Sequence, residues 1–247
     1  MGTVASLEIP AHAARADAHD ALAAAEQFLR EIDEQFSHYR PESEVSRYGR
    51  GELMRSEVST ELDLVLRECA QLHVDSDGVF SITNPRTHDL DTAGYVKGWS
   101  IDGAAAVLRG YGISDFLINV GGDVYAAGSA TPNVAWNIAI SDPIVPGRVC
   151  AGVRLCDAGV ATSGTAERGE HIWNRRTSPE DVLSFTVVDD SITKADAFAT
   201  IGFAMGLDGL PWVEQRGAHA FAVLRSGELP CTSGIAEVLL GEVRLGR

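Results

Sequence analysis

No stretch of 18 consecutive apolar residues occurs in this sequence, so nothing in it reads as a transmembrane helix. Basic residues are few: 20 Lys and Arg stand against 35 Asp and Glu, a formal net charge of −15. A chain this acidic is a poor partner for nucleic acid, whose phosphates need clustered cations. The four cysteines, Cys69, Cys150, Cys156 and Cys231, form no CxxC pair and have no histidine at zinc-ligand spacing. They are expected to be reduced and mostly buried thiols, with a Cys150–Cys156 disulfide as the lesser alternative. The GxxxxGK[ST] phosphate loop, the GxSxG nucleophile elbow and the GxGxxG dinucleotide fingerprint are all missing. That argues against a P-loop nucleotidase, a triad hydrolase and a Rossmann-type redox enzyme. The first twenty residues lack the basic start and apolar run of a secretory signal, and the expected location is cytoplasmic.

What is there suits a globular chain. Its 247 residues, 45% apolar and 22% charged, can bury a sizeable core, and one domain over residues 1–247 is expected. Ala18, Leu22, Ala25, Leu29, Ile32 and Phe36 recur at helical spacing within 14–36. The polar stretch 37–52 reads as a loop. A second helix is expected over 59–78, with Ser59 as its N-cap, and a third over 100–112, with Asp102 near its start. Strands are expected near 2–10, 78–83, 116–128, 135–143, 148–164 and 182–190. A helix over 193–206 and a terminal hairpin over 219–235 complete the chain. Helices and strands do not alternate regularly, so the class is α+β, with mixed sheets and packed helices.

Four segments could carry chemistry. In "TKADAFATIGFAMG", Asp196 and Thr200 stand one helical turn apart and present two oxygens to one spot. That pair suits a hard cation such as Mg²⁺; equally, Asp196 could cap the helix and Thr200 fill a packing position. In "NVGGDVYAAG", Asn119, Gly121 and Gly122 end an apolar strand. The glycines could open backbone N–H groups toward an anion, or form a tight turn with Asp123 as a turn residue. In "AGYVKGWSID", Lys97 precedes the expected helix and could meet a phosphate, or simply be a solvated charge. In "VATSGTAERGEHIWNRRTSPE", Thr162, Ser163 and Gly164 form a small hydroxyl-bearing turn suited to lining a ligand. His171, further along, is a base, an orienting group, or an ordinary hydrogen-bonded histidine.

Taken in order, "FSHYRPESEVSRY", "GVFSIT", "AGYVKGWSIDGAAAVL", "INVGGDVYAAG", "VATSG", "HIWNRRT" and "ADAFATIGFAMG" run almost the full chain. Together they resemble the FAD:protein FMN transferase family, also called the ApbE family. The resemblance implies an α+β, T-fold-related architecture. It implies Mg²⁺, or Mn²⁺, held by Asp196, Thr200 and the backbone carbonyl of Gly94. Lys97, Asp102 and the Asn119-Gly121-Gly122 turn would surround the nucleotide and its phosphates. Thr162, Ser163 and Gly164 would line the flavin pocket, and His171 would assist catalysis. The implied reaction moves FMN from FAD onto a Thr or Ser hydroxyl of an acceptor protein and releases AMP.

The match has departures. Where the family pattern reads HIIDPRTG, this chain has Asn174 and Arg175 in place of Asp and Pro, and no glycine after Thr177. Gly49 stands where an Asn usually closes the SEVSRY segment, and the lipoprotein-type leader of many members is not expected here. These changes bear on acceptor choice and transfer efficiency. They leave two alternatives open: a Mg²⁺-dependent FAD diphosphatase, with water in place of the acceptor hydroxyl, and a non-catalytic FAD-binding module.

Overall fold

The computed structural model describes residues 3–84, 89–164 and 181–240. Among them, eight strands make two sheets, and every strand pairing is antiparallel. The larger sheet has the order β1 (Ala5–Glu8), β2 (Phe116–Val120), β3 (Asp123–Ala127), β6 (Ala158–Gly164), β7 (Val182–Asp189), β8 (His219–Leu224). β4 (Trp136–Ser141) and β5 (Val149–Leu155) form a separate hairpin. The helices are α1 (Ala18–Phe36), α2 (Glu44–Gly49), α3 (Thr60–Asp75), α4 (Ala93–Gly110), α5 (Ile192–Met205) and α6 (Gly209–Glu214).

The sheet has a core on each face, as the alternation of strand side chains requires. On β3, Tyr125 joins the core made with α1, α4 and α5, whereas Val124 and Ala126 join the core made with the β4–β5 hairpin. Asp123 shares its face with Tyr125 and so looks toward the helices.

Local rules explain most elements. α1 buries Ala21, Ala25, Leu29, Ile32 and Phe36, one stripe at three- and four-residue steps. Ser59 caps α3, its Oγ accepting from Leu62 N at 3.1 Å. Two residues, Gly121 and Gly122, turn β2 into β3 with φ of 60° and 95°. Such a turn needs both central residues left-handed, and glycine supplies this without steric cost. α5 is buried almost all round, wedged between α4 and the sheet. A Cβ on its Gly202 would lie 2.3 Å from the Phe185 ring, so only glycine allows that approach.

Four elements differ from the sequence reading. α4 begins at Ala93 rather than 100, so Lys97 lies inside the helix and Asp102 well past its start. The glycines Gly94 and Gly98 weaken the local helical signal, and packing against α5 outweighs it. Residues 78–83 form no strand beyond one bridge between Thr83 and Leu90; instead Phe80 N bonds back to Ser76 Oγ. A short helix, α2, interrupts the expected loop, started by Ser43, whose Oγ accepts from Ser46 N. The stretch 148–164 breaks at Cys156 and Asp157, and its halves join different sheets. After β8 the chain does return alongside it, with Thr232 N bonding Ala220 O and Phe221 bridging Cys231. All four thiols are free; only Cys69 is buried, Cys150 and Cys231 are half-buried and Cys156 is exposed.

Candidate functional site

Where α4, α5 and the ends of β3 and β6 meet, three charged side chains are buried together: Lys97, Asp123 and Asp196. The two helices touch at Gly98. A Cβ there would stand 2.6 Å from the Ile192 carbonyl oxygen and 2.9 Å from Asp196 Cβ. Glycine therefore lets the backbones approach, and Gly98 N donates to Asp196 Oδ2 at 2.9 Å. Lys97 Nζ lies 2.6 Å from Asp123 Oδ2 and 3.3 Å from Asp196 Oδ1. The shorter contact is an ion pair without good hydrogen-bond angles. Asp123 Oδ1 accepts from Thr162 N at 3.3 Å.

One ammonium thus faces two buried carboxylates. Burial pushes the Asp196 carboxyl up, to about 7; Lys97 opposes the rise, Asp123 adds to it, and the Gly98 N–H opposes it.

One turn along α5, Thr200 is half-buried. Its Oγ1 lies 3.3 Å from Ser163 Oγ, and a Cβ built on Gly94 would be 3.7 Å from the same oxygen. Ser163 and the backbone of Gly94 therefore both lie against Thr200, helical spacing sets Asp196 on the same side of α5, and the side-chain donors of Ser163, Asp196 and Thr200 are all oxygen. Among the described residues no three His, Cys, Asp or Glu converge as a closed metal cage. An oxygen set with one carboxylate fits a hard divalent cation of the Mg²⁺ type, which keeps several positions for water and phosphate. Mn²⁺ suits the same donors.

The other residues singled out from sequence sit differently. Asp102 Oδ2 accepts from Ser191 Oγ at 2.9 Å, Thr193 N at 3.1 Å and Thr193 Oγ1 at 2.6 Å. Its carboxylate is thereby committed to the start of α5. Asn119 Oδ1 accepts from Gly122 N at 3.0 Å, and Gly121 N donates to Val4 O at 3.0 Å. The N–H groups of the glycine pair are thus engaged within the protein. Thr162 bonds its hydroxyl to Thr186 Oγ1 at 2.9 Å on the sheet face opposite Ser163, and brings only its N–H to the cluster. Gly164 ends β6 opposite Ser184. His171, with Asn174 and Arg175, lies outside the described residues.

Asp123 is the site residue that sequence reasoning missed, since it reads there as a turn residue. The sequence carries only a weak signal: Asp123 opens the apolar run VYAA, and a carboxylate in a buried strand requires a charged or hydrogen-bonding partner.

Comparison with known proteins identifies the family. The model of the ApbE family matches residues 1–88 and 84–223, and the chain belongs to that family. The FAD:protein FMN transferase of Vibrio cholerae is 25% identical over 289 aligned positions, covering 93% of this chain and 84% of that one. The protein of the same name from Rhodobacter capsulatus is 33% identical over 149 positions, covering 56% of this chain and 28% of its own. The solved structure of the flavin transferase ApbE from Vibrio cholerae superposes with a TM-score of 0.78 at 22% identity, over 97% of this chain and 96% of that one. The two share the fold.

Proposed function

We propose that this chain is a Mg²⁺-dependent FAD:protein FMN transferase, which moves FMN from FAD to a Thr or Ser hydroxyl of an acceptor protein and releases AMP. The observation that carries the reading is Thr200 Oγ1 at 3.3 Å from Ser163 Oγ, one helical turn from the buried Asp196 carboxylate that faces the Lys97 ammonium. An acidic protein repels a diphosphate, and local cations must offset that. Lys97 contributes one such charge, held on α4 by Asp123. A divalent cation on Asp196, Thr200 and the Gly94 carbonyl would supply the rest, neutralising charge on the diphosphate and on the departing AMP.

The acceptor oxygen forms a bond to the phosphorus on the FMN side, the bond from that phosphorus to the AMP oxygen breaks, and AMP leaves. His171 is assigned to accept or orient the proton of the attacking hydroxyl, a role that typically contributes about 10² to 10⁴ in rate. Residues 1–247 are read as one catalytic domain. The four free thiols support a reducing, cytoplasmic setting.

Mass spectrometry of a co-expressed acceptor provides the test. A covalent FMN adduct on a Thr or Ser, abolished by a chelator, is expected. Free FMN with an unmodified acceptor would instead make the chain a diphosphatase, and intact FAD would make it a binding module.

A further inference from the structure

We propose that the open edge of β1 is the docking strand for the acceptor protein: an extended segment of the acceptor adds to the large sheet beside Ala5 and Leu7 and lays alternate side chains into the groove between β1 and α1. The proposal rests on the transferase reading, which requires a protein partner.

The pairing of β1 decides which way its backbone faces. Gly121 N donates to Val4 O at 3.0 Å, and the register continues with Ala5 opposite Val120 and Ser6 opposite Asn119. Hydrogen-bonded and non-hydrogen-bonded pairs alternate along an antiparallel ladder. Val4, Ser6 and Glu8 therefore bond toward β2, while Ala5 and Leu7 turn their N–H and C=O groups outward. No described residue bonds to those four groups. The opposite edge of the sheet is closed, because the chain returns along β8 with Ala222 N on Pro230 O and Thr232 N on Ala220 O. Edge strands are usually blunted by lysine, proline or a bulge. β1 has none of these, and Glu8 is its single charge.

Beside this edge lies a groove of about 760 Å³, with apolar walls from Leu7, Leu29 and Val120. Leu7 and Val120 belong to the core on the helix side of the sheet. A strand added to β1 points every second side chain to that side, and the groove receives them. In this mode of recognition main-chain bonds supply affinity and the pockets supply specificity.

Charge and position choose the occupant. Glu26, Asp33 and Glu34 line the groove against Arg30 and Arg40, and both arginines pair with those carboxylates. The groove thus has an excess of negative charge in a chain whose formal net charge is −15. A second copy would bring the same excess and be repelled, whereas a foreign segment with apolar or basic side chains at the inward positions would not. A Cβ on Gly121 would lie 2.5 Å from Thr3 Oγ1, so the start of this edge touches the β2–β3 turn. Asp123, which follows that turn, reaches the buried Lys97. A segment lying on β1 therefore runs up to the turn that borders the charged cluster.

The experiment uses the full chain and the acceptor that mass spectrometry finds flavinylated, with its modified Thr or Ser replaced by Ala so that it binds without reacting. Amide exchange is read residue by residue by nuclear magnetic resonance. In the free enzyme the Ala5 and Leu7 amides should exchange fast and the Ser6 amide slowly. The acceptor should slow Ala5 and Leu7 by about tenfold or more, and FAD alone should not. Ala5→Pro removes an N–H that faces away from β2, so the ladder survives. It should raise KM for the reactive acceptor by about tenfold, the effect of one lost hydrogen bond, and leave kcat and FAD binding unchanged. The exchange measurement does not depend on how well Ala5→Pro folds. If wild type flavinylates no acceptor, the transferase reading falls and this proposal with it. If adducts form while Ala5 and Leu7 exchange equally fast with and without acceptor, only the docking strand falls. It falls equally if FAD alone protects these amides, which would give the edge to the nucleotide. A free enzyme that sediments as a dimer, dissociated by Ala5→Pro, would give the edge to a second copy and overturn the proposal.

Discussion

Gly98 N donates a 2.9 Å hydrogen bond to Asp196 Oδ2, and this bond spans the closest approach of α4 and α5. Gly98→Ala would force a methyl against the Ile192 carbonyl and Asp196 Cβ, both within 3 Å. Backbone cannot yield there as a flexible side chain could. Overpacking of this sort typically costs about 1–3 kcal/mol. We expect the melting temperature to fall by several degrees and Mn²⁺ affinity to fall with it, checked by calorimetry and metal titration on one preparation.

Asp196→Asn and Thr200→Val keep the approximate shape of their side chains and remove one proposed cation ligand each. Both should fold, with far-ultraviolet circular dichroism unchanged, and Asp196→Asn should lose FMN transfer by about 10²-fold or more. Thr200→Val should lose less, because a hydroxyl is the weaker donor. Transfer by Asp196→Asn at wild-type rate would remove that residue from the chemistry.

His171→Ala should slow transfer by about 10² to 10⁴ and leave a residual rate, whereas chelation of the metal should abolish it. Rates of adduct formation followed by mass spectrometry separate the two effects.

Asp196 also predicts a pH dependence of stability. Burial raises its folded-state carboxyl to about 7 from an ordinary 3.8, so between those values the folded protein binds the proton that the unfolded chain has released. Without divalent cation, this residue's contribution to stability should therefore grow as pH falls through 7 and be complete below 3.8. Denaturant unfolding of wild type and Asp196→Asn between about pH 8 and pH 5 measures it. Wild type should gain on the variant by at most about 1.4 kcal/mol per pH unit. A difference that does not change with pH would show that Asp196 stays ionised throughout.

Asp102 receives three hydrogen bonds from Ser191 and Thr193. Asp102→Ala leaves the start of α5 without that acceptor and should cost about 1–2 kcal/mol, as loss of a helix cap does. For a chain of this size that lowers the melting temperature by about 2–8 °C. A variant that melts with wild type but no longer binds FAD would return Asp102 to the nucleotide.

These residues also mark how much of the fold and site is readable from sequence. α1 and α3 are legible because a repeating apolar stripe and a serine cap are local signals. The Asp196–Thr200 pair is legible because helical spacing alone puts both on one side. The first turns of α4 are not, since Gly94 and Gly98 look like helix breakers until α5 is seen pressed against them. Asp123 is hidden for a similar reason. Its meaning depends on an ammonium arriving from α4, and no pattern within its own strand specifies that. Asp102 is legible as a helix residue but not as a partner of α5, a contact that only the packing of two helices creates.

The bonds that build the site join distant parts of the chain: 98 positions separate Gly98 from Asp196, 39 separate Asp123 from Thr162, and 37 separate Ser163 from Thr200. A site of this kind cannot be lifted out as a peptide or grafted as a loop. It comes into being only when the central sheet and both helices have docked, and a cation that binds it binds the assembled protein alone. Occupancy should therefore shift the folding equilibrium of the whole molecule, and amides far from the ligands should exchange more slowly once the ion is in place.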